Sequence, residues 1–137
     1  MRSTKEMIFL GVNGVEWSKN VANNTYRYRA SDGFERIRLH QTDIITFCDE
    51  KKSLVILNTN SFRTITTKSR INTFVNEGMN YYKAYVYQKD YQWFVKLESL
   101  RNTVYGEFFD GVLLDLNEGD ITEVRDEYEV RDEYEMK

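Results

Sequence analysis

Short alternating or apolar segments, separated by turn signals, fill the first half of the chain. Tyr and Arg alternate in NNTYRYR (residues 23–29), and FERIRLH (34–40) follows the turn-like ASDG (30–33). DIITFCDE (43–50) and SLVILNT (53–59) are further short apolar runs. Runs of this length, bounded by Gly, Asp and Asn, are typical of antiparallel strands joined by tight turns. The pattern predicts three or four such strands.

The segment TITTKSRINTF (64–74) has a helical pattern instead. Ile71, Phe74 and Val75 recur at i, i+3 and i+4, which places them on one face of a helix. The residues between them are polar. The segment therefore predicts one amphipathic helix of about three turns.

Both ends of this helix carry sequence signals. Thr66 or Thr67 is expected to be the N-cap, because a hydroxyl accepts a hydrogen bond from the unpaired amides of the first turn. Ile65 is expected to pack against that turn as a hydrophobic staple. Gly78 is expected to end the helix in the left-handed conformation.

The second half of the chain again reads as strands. They are MNYYKAYVYQ (79–88), YQWFVKLE (91–98) and VYGEFFDGVLLDL (104–116), with connections at QKD (88–90) and SLRN (99–102). Alternate large residues suit one register of a half-buried sheet; they are Tyr85, Tyr87, Tyr91, Trp93 and Val95. The predicted fold class is α+β: a twisted, mainly antiparallel β-sheet with one amphipathic helix and an acidic C-terminal tail.

The net charge of −3 is unevenly distributed. Residues 1–117 hold 16 Lys or Arg against 13 Asp or Glu, whereas residues 118–137 hold 3 against 9. This division predicts a single α+β domain over 1–117 and an acidic tail over 118–137. The tail repeats EVRDEY, and because six matches neither helical period, we expect it to be disordered or marginally helical. An acidic arm that docks on the basic body or mimics a polyanion is the functional alternative.

Cysteine usage and hydropathy indicate an intracellular protein. The single Cys48 cannot form an internal disulfide and, within IITFC, is expected to be a small buried apolar residue. The N-terminal MIFLGV is too short for a secretory core. No run of about eighteen uncharged apolar residues occurs, so no membrane partner is expected.

Four segments carry a resemblance. They are IRLHQTDIITF (37–47), LVILNTNSFRTITTKSRINTF (54–74), VYQKDYQWFV (86–95) and FFDGVLLD (108–115). Their order and their LHxTDI, TTKxRxN and YQxxxxW motifs resemble a widespread family of small proteins of tailed bacteriophages. The resemblance covers residues 23–115 and implies a phage source and a shared fold, but no chemistry.

The chain departs from that family pattern in three places. NTNSF (58–62) stands where many members have paired glycines before an aromatic residue. The N-terminal MIFLGVNG and the repeated tail are expected to be additions specific to this chain.

The sequence contains no persuasive catalytic group. His40 is the only histidine, and Asp43 is its nearest carboxylate, but residues three apart in a strand face opposite sides. Neighbouring hydroxyls such as Thr42 and Ser61 have nothing to activate them. We therefore expect His40 to be structural and the protein not to be an enzyme.

Metal and cofactor sites are not expected either. One His and one Cys do not form a zinc ligand set. An oxygen-only site at FFDG (108–111) would use Asp110 and Asp115, but the Asp-Gly pair is explained by a turn. GVNG (11–14) lacks the Walker lysine and the fuller dinucleotide pattern.

Basic residues interleaved with aromatic and apolar ones are the remaining signal. If the strands on either side of ASDG pair, four arginines could gather on one sheet face, near three cations at the helix entrance. This hypothetical basic face consists of Arg27, Arg29, Arg36, Arg38, Arg63, Lys68 and Arg70. It could contact phosphates. The alternative is an ordinary solvated sheet face, neutralised by Glu35 and nearby acids.

These observations favour a non-enzymatic phage accessory protein that binds a host or phage macromolecule in the host bacterial cytoplasm, as in host takeover or counter-defence. One alternative is a nucleic-acid-binding protein that uses the basic face. Another is a virion-associated or assembly component. Exposed edge strands of an open sheet would also allow a homodimer.

Overall fold

The computed structural model describes residues 14–123, which form ten strands and one helix. The strands are β1 Val15–Ala22, β2 Thr25–Ala30, β3 Glu35–Leu39, β4 Thr42–Phe47, β5 Leu54–Leu57, β6 Lys83–Lys89, β7 Gln92–Glu98, β8 Thr103–Glu107, β9 Val112–Asp115 and β10 Asp120–Glu123. The helix, α1, is Ile65–Phe74. Every strand pairing is antiparallel, and the predicted α+β class is confirmed.

The strands form two sheets where the sequence predicted one. The large sheet has the order β1-β2-β3-β4-β5-β9-β10, and the small sheet the order β6-β7-β8. The split falls at FFDG, where Gly111 has φ +90. This turn divides the predicted strand 104–116 into β8 and β9, which join different sheets.

One hydrophobic core lies between the inner faces of the two sheets. Ile37, Ile45, Leu57 and Val112 lie directly opposite one another across β3, β4, β5 and β9, and all four are fully buried. The small sheet contributes alternate residues of β6 and β7, and α1 contributes Ile71. The sheets and helix therefore share a single core.

The N-cap of α1 is Thr64, so the prediction of Thr66 or Thr67 was wrong. A cap needs extended backbone, and Thr64 has φ −108 and ψ 165, whereas the helix already begins at Ile65. The Thr64 Oγ1 accepts a 3.1 Å hydrogen bond from the Thr67 amide. Ile65 lies inside the first turn and is 81% exposed, so it is not a staple.

The helix ends without a left-handed glycine. Val75 caps it with a right-handed backbone, φ −71 and ψ −30. Gly78 does not have a positive φ. Its role is steric, because a Cβ added there would overlap the carbonyl oxygen of Lys51.

Left-handed residues make several of the hairpin turns. Asn24 (φ 54) joins β1 to β2, and His40 (φ 54) joins β3 to β4. His40 therefore lies in an exposed turn and not in a strand, and its amide donates a 2.9 Å hydrogen bond to the Asn24 carbonyl. Cys48, predicted to be buried, is half-buried just after β4.

The folded body extends past residue 117, the predicted boundary. β10 lies within the segment predicted as a tail, and its Ile121 pairs with Leu114 and packs against the core. The first repeat begins at Glu123, so nearly all of both repeats, like residues 1–13, lies outside the described residues. Within 14–123, no helix is long and apolar enough to cross a membrane.

Candidate functional site

The predicted basic face does not form, because the hairpin register separates its arginines. Residues directly opposite each other in an antiparallel pair share a face. The pairs are Tyr26 with Arg38, Arg27 with Ile37, Tyr28 with Arg36, and Arg29 with Glu35. Arg36 and Arg38 thus lie on the outer face, and Arg27 and Arg29 lie on the face of the buried Ile37.

Arg27 is held in an ion-pair network. Its Nη1 lies 2.6 Å from Glu35 Oε2 and 2.7 Å from Glu77 Oε1, and its Nη2 also contacts Glu77. The Lys52 Nζ lies 3.1 Å from Glu35 and 3.3 Å from Glu77. Two cations and two carboxylates therefore neutralise one another and join β2 and β3 to the segments near Lys52 and Glu77.

On the outer face, Asp43 joins Arg38 to the buried Tyr28. The Tyr28 hydroxyl donates a 2.8 Å hydrogen bond to Asp43 Oδ1, and the Arg38 Nε donates another of 2.8 Å to the same oxygen. Burial, followed by the nearby Asp43 charge, raises the pKa of Tyr28. Burial acts to lower the pKa of Arg38, but the hydrogen bond and charge of Asp43 outweigh it and raise that pKa.

The raised pKa of Tyr28 predicts a loss of stability in alkali. Because the folded pKa lies above the ordinary value of 10.0, the stabilisation is complete below that pH and is lost as the pH rises. Above pH 10 we expect the free energy of unfolding to fall by about 1.4 kcal/mol per pH unit more than in Tyr28→Phe. Urea unfolding of both proteins at several pH values between 8 and 11 measures this difference. If the free energy of unfolding fell equally with pH in both proteins, the prediction would be contradicted.

The three cations predicted at the helix entrance lie against other groups. Arg63 stacks over Phe108 at 5.2 Å, and Lys68 lies over Trp93 at 5.9 Å. The Arg70 Nε donates a 3.0 Å hydrogen bond to Thr25 Oγ1. The seven residues of the predicted basic face are thus distributed over both faces of the large sheet and the start of α1.

The carboxylates considered for a metal site hold turns instead. Asp110 accepts hydrogen bonds from the Thr59 amide at 2.7 Å and the Ser61 amide at 2.9 Å, which fixes the loop before α1. Asp115 Oδ1 accepts from two amides that follow it in the chain. Across residues 14–123, no group of three or more His, Cys, Asp or Glu is placed to bind a metal ion.

The clearest surface feature is the outward side of the small sheet, which we call the aromatic face. Tyr85, Lys96 and Tyr105 lie opposite one another in one row across its three strands. Tyr87, Phe94 and Glu107 form the next row. The third row consists of Lys83, Glu98 and Thr103.

Side-chain contacts order this face. The rings of Tyr87 and Phe94 stack with centroids 5.7 Å apart. The Lys96 Nζ lies 5.3 Å from the centre of the Tyr85 ring and 3.5 Å from Glu98 Oε2. Lys89, opposite Gln92, forms a further row on this side, so the face holds three lysines and two glutamates. Aromatic residues such as these four rings are enriched at protein–protein interfaces.

Comparison with known proteins places the chain in a family. The chain matches the model of the Kyanoviridae Gp96 protein family over residues 1–115. The protein belongs to this family of bacteriophage proteins. No curated protein and no solved structure matches it.

The match confirms the predicted phage source. It also corrects the extent of the resemblance, which was predicted over residues 23–115. It begins at residue 1, so the N-terminal segment, predicted to be an addition, falls within the family model. It contains α1 and the entire small sheet and ends with β9. β10 and the repeated acidic segment follow the matched region.

An unusual tyrosine forms the tip of the β6–β7 hairpin of this phage protein. Asp90 (φ 51) and Tyr91 (φ 67) both have left-handed backbone, as in a type I′ turn, whose second position favours glycine. Tyr91 is 97% exposed, so burial does not offset its backbone strain.

The opposite edge of the small sheet is sealed by α1 and the residue after its C-cap. The Asn72 side chain donates to the Val86 carbonyl at 2.9 Å and accepts from the Val86 amide at 2.8 Å. Asn76 makes the same pair of bonds with Ala84, both at 2.8 Å. These amides substitute for a neighbouring strand along β6. Their i, i+4 spacing was the only sequence signal for them.

Sequence reasoning missed the aromatic face because it misplaced one turn. It took QKD as the connection and grouped Tyr85 and Tyr87 with Trp93 and Val95. The actual turn places Trp93 opposite Gln88 and Val95 opposite Val86. The two tyrosines therefore lie on the outward side, since a one-residue slip moves every side chain to the other face.

Proposed function

We propose that this phage protein acts without catalysis, by binding a host or phage protein through its aromatic face in the cytoplasm of the host bacterium. The observation that carries the proposal is the ordered, outward aromatic surface of the small sheet. Four aromatic rings lie on it beside three lysines and two glutamates. Tyr91 is exposed at the tip of the β6–β7 hairpin of the same sheet.

The charge of the body favours a protein over a polyanion. Residues 14–123 hold 14 Lys or Arg and 15 Asp or Glu, a balance of −1. Binding to nucleic acid depends on cations that displace counterions from phosphates. Here Arg27 and Arg38 already contact carboxylates.

A capture experiment tests the partner and the surface together. Tagged full-length protein would be recovered from infected host cells, with and without nuclease, beside a Tyr85→Ser/Tyr87→Ser variant. Phe62→Ser is the matched control, because Phe62 is a 64% exposed aromatic residue outside the small sheet. Circular dichroism and thermal melting would establish that all three chains fold.

We expect a nuclease-resistant protein partner whose recovery falls at least about tenfold in the double variant and is unchanged in Phe62→Ser. Truncating an aromatic residue at an interface centre costs about 1–2 kcal/mol, so two such losses weaken binding by about thirtyfold or more. Equal recovery with all chains would contradict the role of the aromatic face. Loss of every partner on nuclease treatment would favour nucleic acid, and recovery of the protein only in purified particles would favour a virion component.

A further inference from the structure

The two edges of the small sheet differ. Asn72 and Asn76 cover the β6 edge, whereas β8 pairs with β7 alone within residues 14–123. Two hydrogen bonds show which residues after and before β8 bond to the β7 side of the ladder. The Phe108 amide donates to the Trp93 carbonyl, and the Ser99 amide donates to the Asn102 carbonyl. Alternation then directs the main-chain groups of residues 103, 105 and 107 away from β7.

This edge is suited to another strand. Tyr105 is 66% exposed and Glu107 is exposed, so a strand can reach both. The Thr103 amide is already bound by Asn102 Oδ1 at 2.9 Å, which leaves the centre of the edge for pairing. β8 contains no proline or lysine, the residues that commonly block edge strands.

The other outer strands are less suited to pairing with themselves. β1 has two irregularities in its register, at Val15/Trp17 and Asn20/Ala22. In β10, antiparallel self-pairing about its centre would place Asp120 opposite Glu123 of the other copy, two like charges. β8 has neither obstacle: about Tyr105, Thr103 lies opposite Glu107.

We propose that β8 pairs antiparallel with β8 of a second copy, around a two-fold axis at Tyr105. The two tyrosines would face each other across the axis, and the two small sheets would merge into one six-stranded sheet. No like charges are adjacent across this contact, since Thr103 faces Glu107 on both sides. The aromatic faces of the two copies become continuous, and the dimer does not depend on the protein partner proposed above.

Cysteine cross-linking tests the register. In a Cys48→Ser background, Tyr105→Cys chains should link to themselves under mild oxidation, because opposed strand residues have Cα atoms about 5.5 Å apart, within disulfide reach. Thr103→Cys and Glu107→Cys should each stay unlinked alone, with identical positions about 14 Å apart, and should link to each other when mixed. Non-reducing gels report a species at twice the 16.4 kDa chain mass. Linking of the single Thr103→Cys or Glu107→Cys chain, or none in the mixture, would overturn this register.

Sedimentation of the full chain tests the edge itself. The average mass should rise toward twice the chain mass between about 10 μM and 1 mM, as for a small interface. Tyr105→Pro should abolish the rise, because it removes an outward amide without breaking the β7 ladder. Tyr105→Thr also lacks the ring but keeps the amide, and should still dimerise. A monomer at all concentrations, or a dimer unaffected by proline, would overturn the proposal.

Discussion

Replacing Asn72 and Asn76 together by alanine is expected to lower the free energy of unfolding by about 4 kcal/mol. The change removes four hydrogen bonds and leaves the amides and carbonyls of Ala84 and Val86 without partners. Ala84 and Val86 are almost fully buried, so water replaces those bonds poorly. Each unsatisfied group costs about 1–3 kcal/mol. Urea unfolding followed by tryptophan fluorescence measures the loss, because Trp93 is buried in the core.

The matched control for this prediction is Asn23→Ala. Asn23 is exposed, and its side chain makes no hydrogen bond within residues 14–123. It should change the free energy of unfolding by less than about 0.5 kcal/mol. A double variant as stable as this control would show that the asparagines do not hold the β6 edge. Unsealing that edge should also make the double variant aggregate more readily on heating.

Gly78→Ala is expected to destabilise the protein by about 3 kcal/mol, because the added methyl group overlaps backbone that cannot move aside. The added Cβ would overlap the Lys51 carbonyl oxygen and would lie 2.7 Å from the Asn80 Nδ2. Asn80 also binds the Lys52 carbonyl at 2.9 Å, so the chain after the helix is held against this turn. Thermal melting of the variant measures the effect.

Gly106→Ala provides the comparison. The three atoms nearest to a Cβ at Gly106 all belong to the Ile121 side chain, whose Cδ1 lies 3.0 Å away and can rotate. We expect a loss of about 1 kcal/mol there. If both substitutions lowered the melting temperature equally, the backbone overlap at Gly78 would not be the cause of its effect.

Local patterns were sufficient to predict most individual elements. Alternation and turn residues located β2 to β5, and the 3.6-residue period located α1. These signals lie within a few residues of one another and do not depend on distant parts of the chain. The ASDG hairpin is one example, since its turn residues and flanking strands are contiguous.

Features set by pairing between distant segments escaped prediction. The two-residue turn at Asp90 and Tyr91 is not a usual type I′ sequence, so the faces of β6 were assigned wrongly. The division of residues 104–116 between two sheets depends on β9 pairing with β5, far away in the chain. The observed N-cap lies two or three residues before the predicted one, because three threonines precede or begin the helix and only the backbone distinguishes Thr64.

The candidate site shows the same limit. The arginines of β2 and β3 were visible in the sequence, but the sheet face on which each lies depends on the strand register. Whether their charges are neutralised depends on partners such as Glu77, fifty residues away from Arg27. The tyrosines of β6 were visible too, but were grouped on one face with Trp93 and Val95, which lie on the opposite side. Residue types were therefore predictable, and their grouping in space was not.

The place of β5 in the large sheet bears on how the chain folds as it is synthesised. Its two neighbours are β4, which precedes it closely, and β9, which follows only after α1 and the entire small sheet. On the ribosome, the wholly buried segment LVIL emerges with one side paired and the other waiting for a strand that has not yet been translated. The entropy of closing so long a loop makes this pairing a late step. Until residue 112 is available, the nascent chain presents its most apolar strand to the crowded interior of the cell, and the helix and small sheet that intervene are the parts best placed to shield it.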